Sequence, residues 1–238
     1  MTTHALPASS TPPARGPRIP PLEAGDQLTR DEFERRYEAT PGLKKAELIE
    51  GVVYMSPAIR WNYHSRPHAD LMAWLGAYRA GTPGVQAGDN ASVRLDLDNE
   101  PQPDAAMIIE HVCGGQSKLS GDGYLEGAPE LAAEISASSV SIDLNTKLRV
   151  YRRNAIREYI VWRVHDDAID WFFLEQGQYN PLPATDGTVR SKVFPGLWLD
   201  TAAMLRGDLA GALAVLQGGM ATAEHVEFVK ALKSKRES

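Results

Sequence analysis

The run Glu130-Leu131-Ala132-Ala133-Glu134-Ile135-Ser136 narrows the fold more than any other stretch of the chain. It is short, largely apolar and preceded by Pro129, which reads as a strand buried inside a sheet. A carboxylate within such a strand either does chemistry or needs a partner from elsewhere in the chain, because an unpaired buried charge is costly. Side chains alternate along a strand, so Glu130, Ala132, Glu134 and Ser136 share one face.

The flanking pattern supplies the rest of an α/β architecture. Thr29 followed by Glu32 is a capping-box pattern that predicts a helix over "RDEFERRYEAT", ended by Pro41-Gly42. "AELIEGVVYM" predicts two short strands around a turn at Glu50-Gly51. Leu71, Met72, Trp74, Leu75 and Tyr78 predict a helix within 63–80. "ASVRLDLD" alternates as a half-buried strand, and "PDAAMIIE" is a second strand about a hairpin loop away. "SIDLNTKLRVYRRNA" predicts a helix with Leu144, Leu148, Tyr151 and Ala155 as its core stripe. "REYIVWRV" and "AIDWFFLE" predict a hairpin, and the chain ends in helices, the last at 222–236. This order predicts one α/β domain over residues 26–238 with a mixed central sheet flanked by helices and C-terminal helices beyond it. Residues 1–25, rich in Pro, Ala, Ser and Thr, read as a disordered leader.

Composition removes several function classes. Hydrophobic content of 43% and charged content of 24% are ordinary for a soluble globular chain. No apolar run approaches the ~20 residues of a membrane span, and the N-terminus lacks a secretory pattern. A single cysteine, Cys113, excludes an internal disulfide framework and a thiolate metal cage, and a cytoplasmic setting fits it best. The net charge of −6 argues against wholesale coating of nucleic acid but leaves room for a local basic groove.

On the strand that begins at Asp104, residues Asp104, Ala106 and Ile108 share a face. If that strand lies beside 130–136, Asp104 and Glu134 converge. Two converging carboxylates repel unless a cation lies between them, and Mg²⁺ takes one or two carboxylates plus waters and substrate phosphates. Pro103-Asp104 and Glu134-Ile135-Ser136 resemble the two halves of the PD-(D/E)XK nuclease motif, with Ser136 in the lysine position. The ordered pieces "AELIEGVVYMSP", His64 before an apolar helix, "PDAAMII", "GAPELAAEISASS", "DLNTKLRVYRRNAIREYIVW" and "VFPGLWLD" resemble the Uma-two-type putative restriction endonuclease family over roughly residues 29–217. Members of that family carry the same displaced lysine, and here the following helix offers Lys147, with Asp143 one turn before it.

The resemblance implies a restriction-endonuclease-like fold and metal-dependent cleavage of DNA phosphodiesters. Asp104 and Glu134 would hold Mg²⁺, with Mn²⁺ as a substitute. Lys147 would stabilise developing charge or orient the water, and Glu47 would be a further ligand or a base. His64 would contact phosphate, and Arg149, Arg152 and Arg153 would form a DNA-facing strip. A homodimer is the assembly suggested for cutting both strands, with Met204 to Leu216 as the apolar interface. Plainer roles stand beside each of these. Asp after Pro often closes a turn, a lone histidine before a helix is commonly a cap, and an arginine-rich helix face is often only solvated. Trp61, Tyr63 and Arg66 could meet nucleic acid, though packing against the first strands is the better expectation. "CGGQSKLSGDG" lacks the spacing of a phosphate-binding loop. Three alternatives to a DNA endonuclease stay open: a non-catalytic nucleic-acid-binding or assembly module on the same fold, a hydrolase of RNA or branched substrates, and a structural protein whose acids pair with nearby arginines.

Overall fold

The computed structural model describes residues 19–56 and 59–237. Helix α1 (Arg30–Glu38) precedes a hairpin of β1 (Ala46–Ile49) and β2 (Val52–Met55). Glu50 and Gly51 both adopt positive φ, 52° and 74°, the two-residue turn that matches strand twist. A π-helical turn, Trp61–Ser65, runs into α2 (Arg66–Gly81). There follow β3 (Val85–Asp89), β4 (Ala105–Ile109) and β5 (Leu131–Ser136). A second π-helical turn, Ile142–Lys147, leads into α3 (Leu148–Arg153). Next come β6 (Glu158–Arg163), β7 (Ala168–Glu175) and β8 (Gln178–Pro181), and then β9 (Trp198–Asp200) with α4 (Thr201–Leu205), α5 (Leu209–Met220) and α6 (Ala223–Arg236).

Six strands form the central sheet in the order β8-β7-β6-β5-β4-β3. The β5–β6 pair is parallel and all other neighbours are antiparallel, so the sheet is mixed. The parallel step needs a crossover, which the second π-helical turn and α3 provide. Ala105 pairs with Ala133 and Ala106 with Ala132. Continuing that register by one residue sets Asp104 opposite Glu134 on the same face.

Alternation divides the sheet into two packed faces. Met107, Leu131, Ala133, Ile160 and Trp162 pack with Leu71, Trp74, Leu75 and Tyr78 of α2 and with Met204, Ala212 and Leu216. Trp74 Nε1 donates to the Trp198 carbonyl at 3.0 Å, so the burial of this large side chain leaves no unmet donor. The opposite face places Ala132, Tyr159 and Val161 against Ile49 of β1 and Val150 and Tyr151 of α3. Glu134 lies on this second face.

Several expectations are corrected. Thr29 is the N-cap of α1 but makes no side-chain capping bond. Glu32 instead bonds Arg35 and Arg36, so the box does not close. "ASVRLDLD" contributes only Val93–Arg94 as regular strand, in a small separate sheet, and the neighbours of β4 are β3 and β5. Ala155 lies beyond the end of α3 with φ of 61° and is exposed, because the helix stops before it. Of the expected leader, residues 1–18 lie outside the described residues. Its end is ordered: Leu22 is buried with Phe33, Leu48 and Val53, and the Gly25 N–H donates to Val53 O at 2.8 Å. Met204, Ala212 and Leu216 are buried in the main core, so they do not form the external apolar interface expected for a dimer. Among the described residues no helix is long and apolar enough to cross a membrane.

Away from the second face, Glu100 is buried and its Oε2 has no hydrogen-bond partner among the described residues. Burial, then the neighbouring Glu34 carboxylate, pushes Glu100 from 4.5 up to about 8. The folded chain therefore holds a proton there that the unfolded chain releases, and this contribution to stability is lost as pH rises through that window. Replacing Glu100 by Gln mimics the protonated acid. The stability of Glu100→Gln relative to the native sequence should grow between pH 5 and 8 by about 1–3 kcal/mol, measured by urea unfolding.

Candidate active site

The cavity of about 620 Å³ on the second face lies where β1, β2, the first π-helical turn, β5 and the second π-helical turn meet. Glu47, Asp104, Glu134, Asp143 and Lys147 all line it. Glu47 comes from β1, Asp104 from the entry to β4, Glu134 from β5, and Asp143 and Lys147 from the second π-helical turn. Such turns widen the helix and re-aim side chains, and they recur at functional sites. Here the turn sends Lys147 inward, where it is buried.

Lys147 Nζ donates to Glu134 Oε1 at 2.9 Å and to Glu47 Oε1 at 2.8 Å, and Asp143 Oδ1 lies 3.9 Å away. Tyr151 Oη donates to the same Glu134 oxygen at 2.8 Å. The Gln102 N–H donates to Glu47 Oε1 at 2.7 Å. Ser136 and Ser139 hydroxyls both donate to Asp143 Oδ2. Ser136, in the place where the nuclease motif has lysine, thus anchors the acid that faces the displaced lysine.

Asp104 sits in a second charged group. Its Oδ2 accepts from the Ile135 N–H at 2.8 Å, which locks it to β5. Lys45 Nζ donates to Oδ1 at 2.8 Å, and His64 Nε2 lies 3.2 Å from Oδ2. Motif resemblance does not single out Lys45 as a site residue. One local signal does exist: Lys45 is two residues from Glu47 and therefore on its face. His68, four residues after His64 and so on the same helical side, bonds the Asp104 carbonyl at 2.7 Å. The four-residue spacing of the two histidines is the sequence signal for that contact.

The electrostatics follow from burial and charge count. Burial alone would raise Asp104, but the His64 bond and the Lys45 charge hold it well below the usual carboxylate range. Glu134 goes the other way. Burial, aided by Asp143, Asp104 and Glu47, outweighs Lys147 and pushes its carboxyl up to about 8. Asp143 is raised too, chiefly by burial, against Lys147, Ser136 and Ser139. Burial would lower Lys147, but Glu134, Glu47 and Asp143 raise it well above the ordinary lysine value, so the ammonium stays charged. One ammonium thus serves three carboxylates.

The arginines expected to face DNA are not brought to the cavity. Arg149 and Arg153 pair with Glu50 at 3.3 and 3.0 Å, and Arg152 donates to Gly177 O at 3.1 Å. None of the three lines the cavity. Trp61 and Tyr63 are exposed, which corrects the expectation that they pack against the first strands. The acids of the site are partnered by lysines, histidine and tyrosine, not by the nearby arginines that a purely structural role was expected to use.

A mixed sheet with acids on two adjacent strands and a lysine on the crossover defines a restriction-endonuclease-like fold. A solved structure, described as "a putative nuclease belonging to DUF820" from Anabaena variabilis ATCC 29413, superposes with a TM-score of 0.57 at 14% identity, covering 76% of this chain and 98% of that one. The family model described as "Putative restriction endonuclease", Uma2, matches residues 30–202, and the chain belongs to that family. No curated protein matches it. Family and fold together support a nuclease.

If Lys147 is what makes the buried acids tolerable, Lys147→Met should destabilise the protein by about 3–5 kcal/mol, the range for an orphaned buried charge. Glu134→Gln keeps the Tyr151 and Lys147 contacts with an uncharged carbonyl and should change stability by no more than about 1 kcal/mol at pH 7. Equal losses in guanidinium unfolding would contradict the charge imbalance described.

Proposed function

We propose that the protein is a Mg²⁺-dependent DNA endonuclease acting in the cytoplasm, with Mn²⁺ as a substitute ion, and that Asp104 and Glu134 hold the ion. One observation carries the reading: the cavity sets four carboxylates, Glu47, Asp104, Glu134 and Asp143, against two ammoniums, Lys45 and Lys147. Leaving His64 out and counting Arg60 at the mouth, four acids face three fixed cations, so one acid has no cation of its own. Glu134 is raised first by burial, and the neighbouring Asp143, Asp104 and Glu47 add to it. A divalent cation prefers oxygen donors of this kind. Among the described residues no three or more His, Cys, Asp or Glu side chains form a ready-made metal cluster. The proposed ion would take two protein carboxylates, with water and phosphate oxygens as its other ligands.

When bound, the ion supplies Lewis acidity and lowers the pKa of a bound water. The chain supplies the rest. Lys147, which bonds Glu47 and Glu134, would donate to a phosphate oxygen as charge develops. Glu47, which accepts from Lys147 and the Gln102 N–H, would accept a proton or complete the ligand set. Both oxygens of Asp104 are already engaged, by Lys45, His64 and the Ile135 N–H, so Asp104 would hold an ion only in exchange for one of these contacts. His64, at the cavity wall, would be the phosphate contact.

The closed pairing also favours a second reading, a non-catalytic nucleic-acid-binding module in which the ion pairs are permanent. One comparison separates the two. The native protein should nick plasmid DNA with Mg²⁺ or Mn²⁺, and Asp104→Ala, Glu134→Ala and Lys147→Ala should each lose at least about 10²–10³-fold. Calorimetric titration with Mn²⁺ should show binding that Asp104→Ala abolishes. Absence of carboxylate-dependent binding supports the module, and equal nicking by all four proteins identifies a contaminant.

A further inference from the structure

Beside the cavity, the segment that enters the first π-helical turn carries apolar and aromatic groups left largely in solvent. Ile59, Trp61 and Tyr63 are 62%, 74% and 40% exposed within five residues of chain. Exposed apolar side chains gathered in one place mark an interaction surface. This one adjoins the chemistry: Ile59, Arg60, Tyr63 and His64 line the cavity, and His64 reaches Asp104 from the same turn. Tyr63 lies against the His165 ring at 4.7 Å between centroids, a ring pair on the cavity wall. The Arg60 side chain has no carboxylate partner among the described residues and lines the same mouth.

The charge distribution says what kind of partner fits. A protein that holds duplex DNA through its backbone uses many phosphate contacts, roughly six to ten. Here Arg149 and Arg153 are tied to Glu50, and Lys45 and Lys147 are tied to carboxylates. The mouth therefore offers few free cations and several ring faces. Base faces are covered by neighbours in a duplex and open in a single strand, where stacking on aromatic side chains supplies most of the binding.

We propose that residues 59–63 form a stacking platform for the bases of unpaired DNA, placing the adjoining phosphate in the cavity. This deepens the nuclease reading by naming its substrate as single-stranded DNA or the unpaired portion of a larger DNA.

The test is fluorescence anisotropy with a labelled oligonucleotide, as a single strand and annealed to its complement, in EDTA so that no metal-dependent cleavage occurs. The single strand should bind at least about tenfold more tightly than the duplex, and Trp61→Ala should lose about tenfold of that affinity. Trp61→Phe should restore most of it. Intrinsic tryptophan emission should be quenched by the single strand in the native protein but not in Trp61→Ala, which keeps Trp74, Trp162, Trp171 and Trp198. Because Trp61 is on the surface, an unchanged melting temperature will show that the variant is folded. Duplex binding as tight as single-strand binding, an unchanged affinity in Trp61→Ala, no binding at all, or tighter binding of RNA of the same sequence would each overturn the proposal. No bond is cut in this assay, so a protein that binds single strands through Trp61 yet cleaves nothing with Mg²⁺ sinks the nuclease reading alone and leaves the platform standing.

Discussion

The contact on which the site depends is the buried ammonium of Lys147, held between Glu134 and Glu47 within 3 Å of each. It joins the crossover element to β5 and to the hairpin in one set of charge-assisted bonds. Buried pairs of this kind add little to net stability compared with an apolar core, but losing one partner is severe. Their value is specificity of arrangement. Here the second π-helical turn, β5 and β1 must all be correctly placed before Lys147 makes both of its bonds.

A second constraint is geometric. The antiparallel register of β4 and β5 sets Asp104 opposite Glu134, and the Ile135 N–H holds the Asp104 carboxylate against the edge of β5. The parallel β5–β6 step then requires a crossover, and that crossover delivers Lys147 to the same face. Local strand periodicity, register and connection thus converge on one cavity. The outcome is a site in which four acids meet two ammoniums and one guanidinium.

Much of the sheet is legible in the sequence because its strands carry strong local signals. The Glu50-Gly51 turn, the 158–175 hairpin and the buried run at β5 all follow from period, length and turn chemistry. Asp104, Glu134, Lys147 and Glu47 are legible through the resemblance of ordered motif pieces, and alternation gives a physical reason for the first two to meet. Where local pattern and structure part, the cause is a competing neighbour. "ASVRLDLD" alternates correctly, but pairing is decided by neighbours, and only Val93 and Arg94 find them in a small sheet. The capping box at Thr29 loses to competition, since Glu32 has two arginines within reach.

By itself the sequence determined the alternation that puts Glu134 and Ser136 on one face, the helix and strand order, and the acid and lysine inventory. These are local properties, readable over a few residues. Only tertiary structure decided that Lys45 pairs with Asp104, that Ser136 serves Asp143, that Arg149 and Arg153 turn to Glu50, and that Trp61 is left in solvent. Each of those depends on which distant segments arrive within hydrogen-bonding distance, and side-chain charge does not encode direction until the backbone has placed it.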